Sequence, residues 1–204
     1  MNKTYIRNNF FETNSSSTHA ISISTRIIDL DTSLHYFPST PYAMAPPVVI
    51  KTNEFGYDFL KYNNLVDKLS YLWSFLFLIT TPRRIQFFDD LPSLIESTGL
   101  NLKQANDHIR RIGNLVRRTT GREVIFEKGE EVGVSEHSFD YLPERILNLS
   151  DNDLWKWLFD KNSWLYLGND FQNEKEKTKK EVKKFYIMPK DSIVIATPRG
   201  KWED

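Results

Sequence analysis

A chain of 204 residues with 27 basic and 27 acidic side chains and an aromatic share of 14% reads as one domain spanning 1–204, with room for a large aromatic core. The lack of cysteine excludes a disulfide framework, a thiolate metal site and a cysteine nucleophile. A formal charge of zero provides no global field to attract nucleic acid, so any such contact must rest on a local patch.

Met1 to Phe10 holds Lys3 and Arg7 but no apolar stretch, so it does not read as a secretory signal. Tyr5 to Phe11 suits a first strand. Glu12 to His19 follows, with no apolar side chain at all. Ala20 to Ile27 alternates, with Ile21, Ile23 and Thr25 on one side and Ser22, Ser24 and Arg26 on the other; that predicts a strand with one wet face. Asp29 to Pro47 reads as a long loop, because Pro38, Pro41, Pro46 and Pro47 remove donors and force extended or turn geometry. Val48 to Lys51 suits a short strand. From Glu54 to Ile79 the spacing of Phe55, Phe59, Tyr62, Val66, Leu69, Trp73 and Leu76 predicts a long central helix, capped by Asn53 and stopped before Pro82. Its most apolar run, Leu72 to Ile79, is broken by Ser74 and is far shorter than the ~20 residues a membrane span needs.

A short helix is predicted over Pro92 to Ser97. A longer one runs from Leu102 to Arg118, with a stripe of Leu102, Ala105, Ile109, Ile112 and Val116 and with Gly121 just past its end. Glu123 to Glu127 and Glu131 to Phe139 read as a hairpin turning at Lys128-Gly129. Ser150 heads a capping box for a helix over Asp151 to Asp160. Trp164 to Leu167 reads as a strand. The charged run Asn173 to Lys184 has helical spacing at Glu176 and Lys180. Phe185 to Met188 and Ser192 to Thr197 close the chain as strands. The resulting class is α+β: a mixed or antiparallel sheet built from N- and C-terminal strands, packed on a long central helix.

Chemistry is most concentrated at Glu12 to His19. Asn14, Ser15, Ser16, Ser17 and Thr18 supply short donors and acceptors that stabilise tight turns. Successive N–H groups in such a turn bind an anion. His19 would then act as acid or base, Glu12 would orient it, and Ser17 would be the nucleophile if His19 reaches it. A plain polar turn between strands accounts for the same residues. Phe11-Glu12-Thr13-Asn14-Ser15-Ser16-Ser17-Thr18-His19 resembles the opening motif of a group of small proteins from bacteriophages and prophages of low-GC bacteria. The resemblance covers about a tenth of the chain. It implies no activity, only a phage setting, a host-cytoplasmic location and an accessory role against the host.

Glu136, His137 and Ser138 form a second cluster at a predicted strand end. His137 could join His19 and Glu12 in one site if their strands are neighbours, and two histidines with a carboxylate also suit a metal; a backbone-bonded strand-end histidine is the simpler reading. His35 reads as a packing residue, and His108, one residue from the apolar stripe, as a residue on the helix border. Arg110, Arg111, Arg117 and Arg118 recur at seven-residue spacing and return to one helix face. This is a candidate nucleic-acid patch, though a solvated face complementing the helix dipole is favoured. No glycine-rich phosphate loop is present, and no cofactor is indicated. Two functions follow. The favoured one is a binder of a host protein or nucleic-acid-processing defence complex, with off-stripe aromatics such as Trp157 and Trp202 as anchors. The alternative is a nucleotide- or phosphate-binding protein, or a hydrolase or phosphoryl-transfer enzyme, with Glu12, Ser17, His19 and His137 in one pocket. No membrane partner is expected.

Overall fold

Strand β1 (Ser17–Ser24) organises the largest sheet of the computed structural model, which describes residues 17–35, 45–55, 60–81, 99–134, 142–169 and 191–196. The other strands are β2 (Val48–Lys51), β3 (Glu54–Phe55), β4 (Leu60–Tyr62), β5 (Val124–Glu127), β6 (Gly133–Val134), β7 (Trp164–Asn169) and β8 (Ser192–Ala196). The helices are α1 (Leu65–Thr80), α2 (Leu102–Thr120), α3 (Leu142–Leu147) and α4 (Asp151–Phe159). The arrangement is α+β, as expected, with one four-stranded antiparallel sheet and two parallel strand pairs. Expected elements at Tyr5–Phe11, Pro92–Ser97, Asn173–Lys184 and Phe185–Met188 lie outside the described residues, as does the second half of the strand expected to end at Phe139.

In the four-stranded sheet the order is β4-β7-β1-β8. Ile21 pairs with Leu165 on one side and Ile195 on the other. The strand starts earlier than its alternation suggested and has no wet face, because Ser22 and Ser24 are as buried as Ile21 and Ile23. Ser24 tolerates this because its polar groups find partners. The Ser24 N–H donates to Ser163 Oγ at 3.0 Å, and Ser24 Oγ accepts from the Arg26 N–H. An Arg26–Asp191 ion pair then ties the end of β1 to the residue before β8.

The central helix is shorter than predicted. It begins at Leu65, and its cap is Asn64, whose side chain accepts from the Asp67 N–H at 2.9 Å; Asn53 is not the cap. Phe55 and Tyr62 share the helical spacing by coincidence. They reach the core from strands, where Phe55 packs edge-to-face on Tyr62 and on Tyr71 of α1. Every residue from Lys68 to Ile79 is buried, so the helix does sit at the centre. Asn53 instead docks on α1: its N–H donates to Ser74 Oγ, which donates in turn to a carbonyl. Of the predicted helix stripes, Val66 and Leu102 near the helix starts are exposed.

The expected hairpin at Lys128-Gly129 does not form. β5 pairs in parallel with β2, and β6 in parallel with β3, so two kinked strands run side by side. Thr52 locks the kinks together. Its N–H donates to the Glu127 carbonyl at 3.2 Å, its hydroxyl donates to the Glu131 carbonyl at 2.9 Å, and it accepts from the Gly129 N–H at 2.7 Å. Glycine is required there because a Cβ on residue 129 would collide with the Thr52 carbonyl oxygen. α2 ends as predicted, on Gly121 in the left-handed region at φ 75°. α3 has no counterpart in the predicted elements.

α1 meets α4 through a buried lysine. Lys68 is fully buried. Its ammonium donates to the carbonyls of Trp157 at 2.6 Å, Asp160 at 3.3 Å and Leu158 at 3.5 Å, and lies 5.8 Å from the centre of the Trp157 ring. These carbonyls form the electronegative end of α4, where that of Asp160 also accepts from the Ser163 N–H at 2.9 Å. Burial pushes the Lys68 ammonium down to about 7, against the pull of Asp160 and Asp31. Asp31 is also buried. Its two oxygens accept from the Ser33 N–H and from the Leu65 N–H at the start of α1. Burial alone would raise Asp31, but these bonds and the charge of Lys161 outweigh it and lower its carboxyl.

Two outcomes are expected. Gly129→Ala loses about 2 kcal/mol of stability in urea unfolding, because backbone blocks the added methyl, while Lys128→Ala beside it changes stability by less than about 0.5 kcal/mol. For Lys68 the native state binds fewer protons than the unfolded chain between pH 7 and the ordinary lysine value of 10.5. Stability therefore rises with pH above 7, by no more than roughly 1.4 kcal/mol per unit. Tyr71, whose phenol burial raises, opposes this only above its ordinary value of 10.0. Lys68→Met abolishes that slope in unfolding curves at pH 7, 8 and 9. It also costs about 3 kcal/mol at pH 7 by stranding the α4 carbonyls and two buried carboxylates.

Candidate functional site

The hydroxyl-rich segment enters the fold as strand at its C-terminal end. Ser17, Thr18 and His19 belong to β1 and pair with Asn169, Gly168 and Leu167 of β7. They do not form the expected turn, because the ladder with β7 satisfies their backbone groups. Glu12, Asn14, Ser15 and Ser16 lie outside the described residues, as do Glu136, His137 and Ser138. Among the described residues no group of three histidine, aspartate or glutamate side chains would hold a metal, and no helix is long and apolar enough to cross a membrane.

The four arginines of α2 do come together, with unequal roles. The helix has two faces. Ala105, Ile112, Leu115 and Val116 are buried against the core, and the opposite side is polar. Asn101 and Gln104 form a reciprocal capping box at its start. Arg111 is committed to the fold. Its guanidinium donates to the carbonyls of Leu147 and Leu149, both at 2.6 Å, and to Asp151 at 2.7 Å, so it fixes the α3–α4 junction. Arg110 pairs with Asp107 one turn earlier, and Arg117 with Glu123 at 3.3 Å. Both pairs are more than half exposed. Arg118 is exposed and has no ion pair among the described residues. Together Arg110, Asn114, Arg117 and Arg118 border a shallow, open groove with Asp107 and Asp151.

Gly113 lies on the flank of α2, beside this face, and is partly buried. A glycine inside a helix costs about 1 kcal/mol relative to alanine. Nothing in the chain requires it, because an added Cβ would meet no atom within 4 Å. His108 is half-buried on the helix border, as expected, and burial and the Arg111 charge lower its imidazole. His35 sits in a turn with its N–H on the Thr32 carbonyl.

One surface was not expected from the sequence, and one expected anchor is absent. Trp157 is not an exposed anchor: it is fully buried, and its indole N–H donates to the Trp164 carbonyl at 3.3 Å. Trp202 lies outside the described residues. Among the described residues the large exposed apolar side chains are aliphatic, and Val49, Leu60, Ile125 and Ile193 lie on strands. Val49 and Ile125 are register partners across β2 and β5, and 44% and 43% exposed. The unbroken apolar triplets Val48-Val49-Ile50 and Val124-Ile125-Phe126 were the available signal, since such runs carry apolar side chains on both faces of a strand. A scan against protein-family models, a search of curated proteins and a search of solved structures each find no match.

Proposed function

We infer that this chain is a binding protein that engages a protein partner through the β2–β5 pair. The exposed Val49–Ile125 pair carries the reading. The inner side chains Val48 and Ile50 are buried, whereas the outer face presents two aliphatic residues followed by Lys51 opposite Glu127. Parallel strands normally have both faces covered. A two-stranded sheet is marginal by itself, and β2 and β5 have no further strand neighbour among the described residues. Such a pair suits strand addition, in which a partner's extended segment supplies main-chain hydrogen bonds and its side chains cover Val49 and Ile125. Lys51 and Glu127 supply the polar rim. Arg122 braces the approach to β2 by donating to the carbonyls of Pro46 at 2.8 Å and Pro47 at 3.3 Å.

The likeness of Phe11 to His19 to phage and prophage proteins supports a host cell as the setting and an accessory role there. The partner is then a host protein, or a subunit of a nucleic-acid-processing defence complex.

The test is affinity capture from host lysate with wild type and with Ile125→Glu. A stoichiometric partner is expected on wild type and at least tenfold less on the variant, a loss of about 1.4 kcal/mol or more, with urea stability within about 0.5 kcal/mol of wild type. Equal recovery by both proteins would sink the reading. So would a thermal shift with nucleotides in a wild-type protein that captures nothing.

A further inference from the structure

We propose that the outer face of α2 is a docking surface for the phosphate backbones of B-form duplex DNA, separate from the β2–β5 surface. The helix carries Lys103, Arg110, Arg111, Arg117 and Arg118 against a single acid, Asp107, in a chain whose formal charge is zero. With Arg111 committed to the α3–α4 junction, Arg110, Arg117 and Arg118 remain on the exposed side. At 1.5 Å per residue, Arg110 stands roughly 10.5 Å along the axis from Arg117 and roughly 12 Å from Arg118. The B-DNA major groove is about 12 Å wide. The helix can therefore bridge it, with Arg110 on one phosphate backbone and Arg117 and Arg118 on the other.

Asn114 then faces the groove between. Asn114 is exposed and of a residue type that hydrogen-bonds adenine edges. The surface offers no aromatic side chain for stacking an unpaired base. The deep, narrow major groove of A-form RNA would not admit this approach. Asp107 and Glu123 do not block it, since their exposed pairs with Arg110 and Arg117 are weak and a phosphate can replace each carboxylate. Asp151 is held by Arg111.

The experiment measures binding of the full chain to a fluorescent 20-base-pair DNA duplex by anisotropy at 50 and 200 mM salt. Three phosphate contacts give a slope of log K against log salt of about −3, so affinity falls roughly 40-fold over that range. Arg110→Ala/Arg117→Ala/Arg118→Ala is expected to bind at least tenfold more weakly at 50 mM, with a nearly flat salt dependence. The triple variant keeps its urea stability within about 1 kcal/mol of wild type, because the side chains removed are exposed, so loss of fold cannot account for the weaker binding. Ile125→Glu keeps wild-type DNA affinity, so failure here is distinguishable from failure at the β2–β5 surface. The proposal is overturned if wild type does not bind at 50 mM salt, if the triple variant binds like wild type, or if duplex RNA of the same sequence binds as tightly.

Discussion

A positive charge held away from water at the end of a helix is the constraint on which the centre of this molecule depends. Lys68 cannot reach solvent, so its donors must be met inside, and the carbonyls of Trp157, Leu158 and Asp160 meet them. That requirement fixes where α1 crosses the end of α4. Around the same point Asp31 caps the start of α1, the Asp31 N–H donates to the Phe159 carbonyl, and the Asp160 carboxylate accepts from the N–H groups of Asp29 and Asn162. An apolar core alone would let two helices slide by a turn at modest cost, because hydrophobic contact is non-directional. A buried ammonium with particular partners does not permit that slide.

The same economy of charge explains why the surface looks bland in a simple count. Arg111 and Lys68 are basic residues that act as internal fasteners, each tied to backbone carbonyls at helix ends. Arg122 does the same for Pro46 and Pro47. The basic groups still facing water are therefore fewer than the composition implies, but they are not evenly spread. α2 retains a lopsided basic face, while β2–β5 shows a small aliphatic face with balanced charges beside it.

Much of the fold was legible where a local rule dominates. Asn101, Gln104 and Gly121 bound α2, Ser150 caps α4, and Val48–Lys51 is a strand, each by chemistry confined to a few neighbours. Errors arose where distant residues decide. Phe55 and Tyr62 match a helical repeat, yet Asn64 and Asp67 make the actual start of α1, and the aromatics serve the core from strands. Lys128-Gly129 resembles a hairpin turn because turn residues look alike. The glycine is instead required by the Thr52 carbonyl of another strand, which no window around residue 129 contains. Ser22 and Ser24 look solvated because serine usually is, but their strand lies in the middle of a sheet. The candidate site was the least legible part. His19 was assigned by the polarity of its neighbours, whereas its backbone belongs to a ladder with β7. Val49 and Ile125 sit in unbroken apolar triplets, a pattern that a strand buried on both faces shares, so the residues alone do not mark which face stays exposed.

The position of β1 has a consequence for how the protein is made. Its ladder partners are residues 164–169 on one side and 192–196 on the other. During vectorial synthesis the first described strand emerges long before either neighbour exists. Local structure such as α1 and α2 can form as it leaves the ribosome, but the sheet must wait until the last strand is released. Through that interval the strand carrying Ile21 and Ile23 lacks both of its ladder partners. It must be shielded by transient contacts or by a chaperone until β7 and β8 arrive.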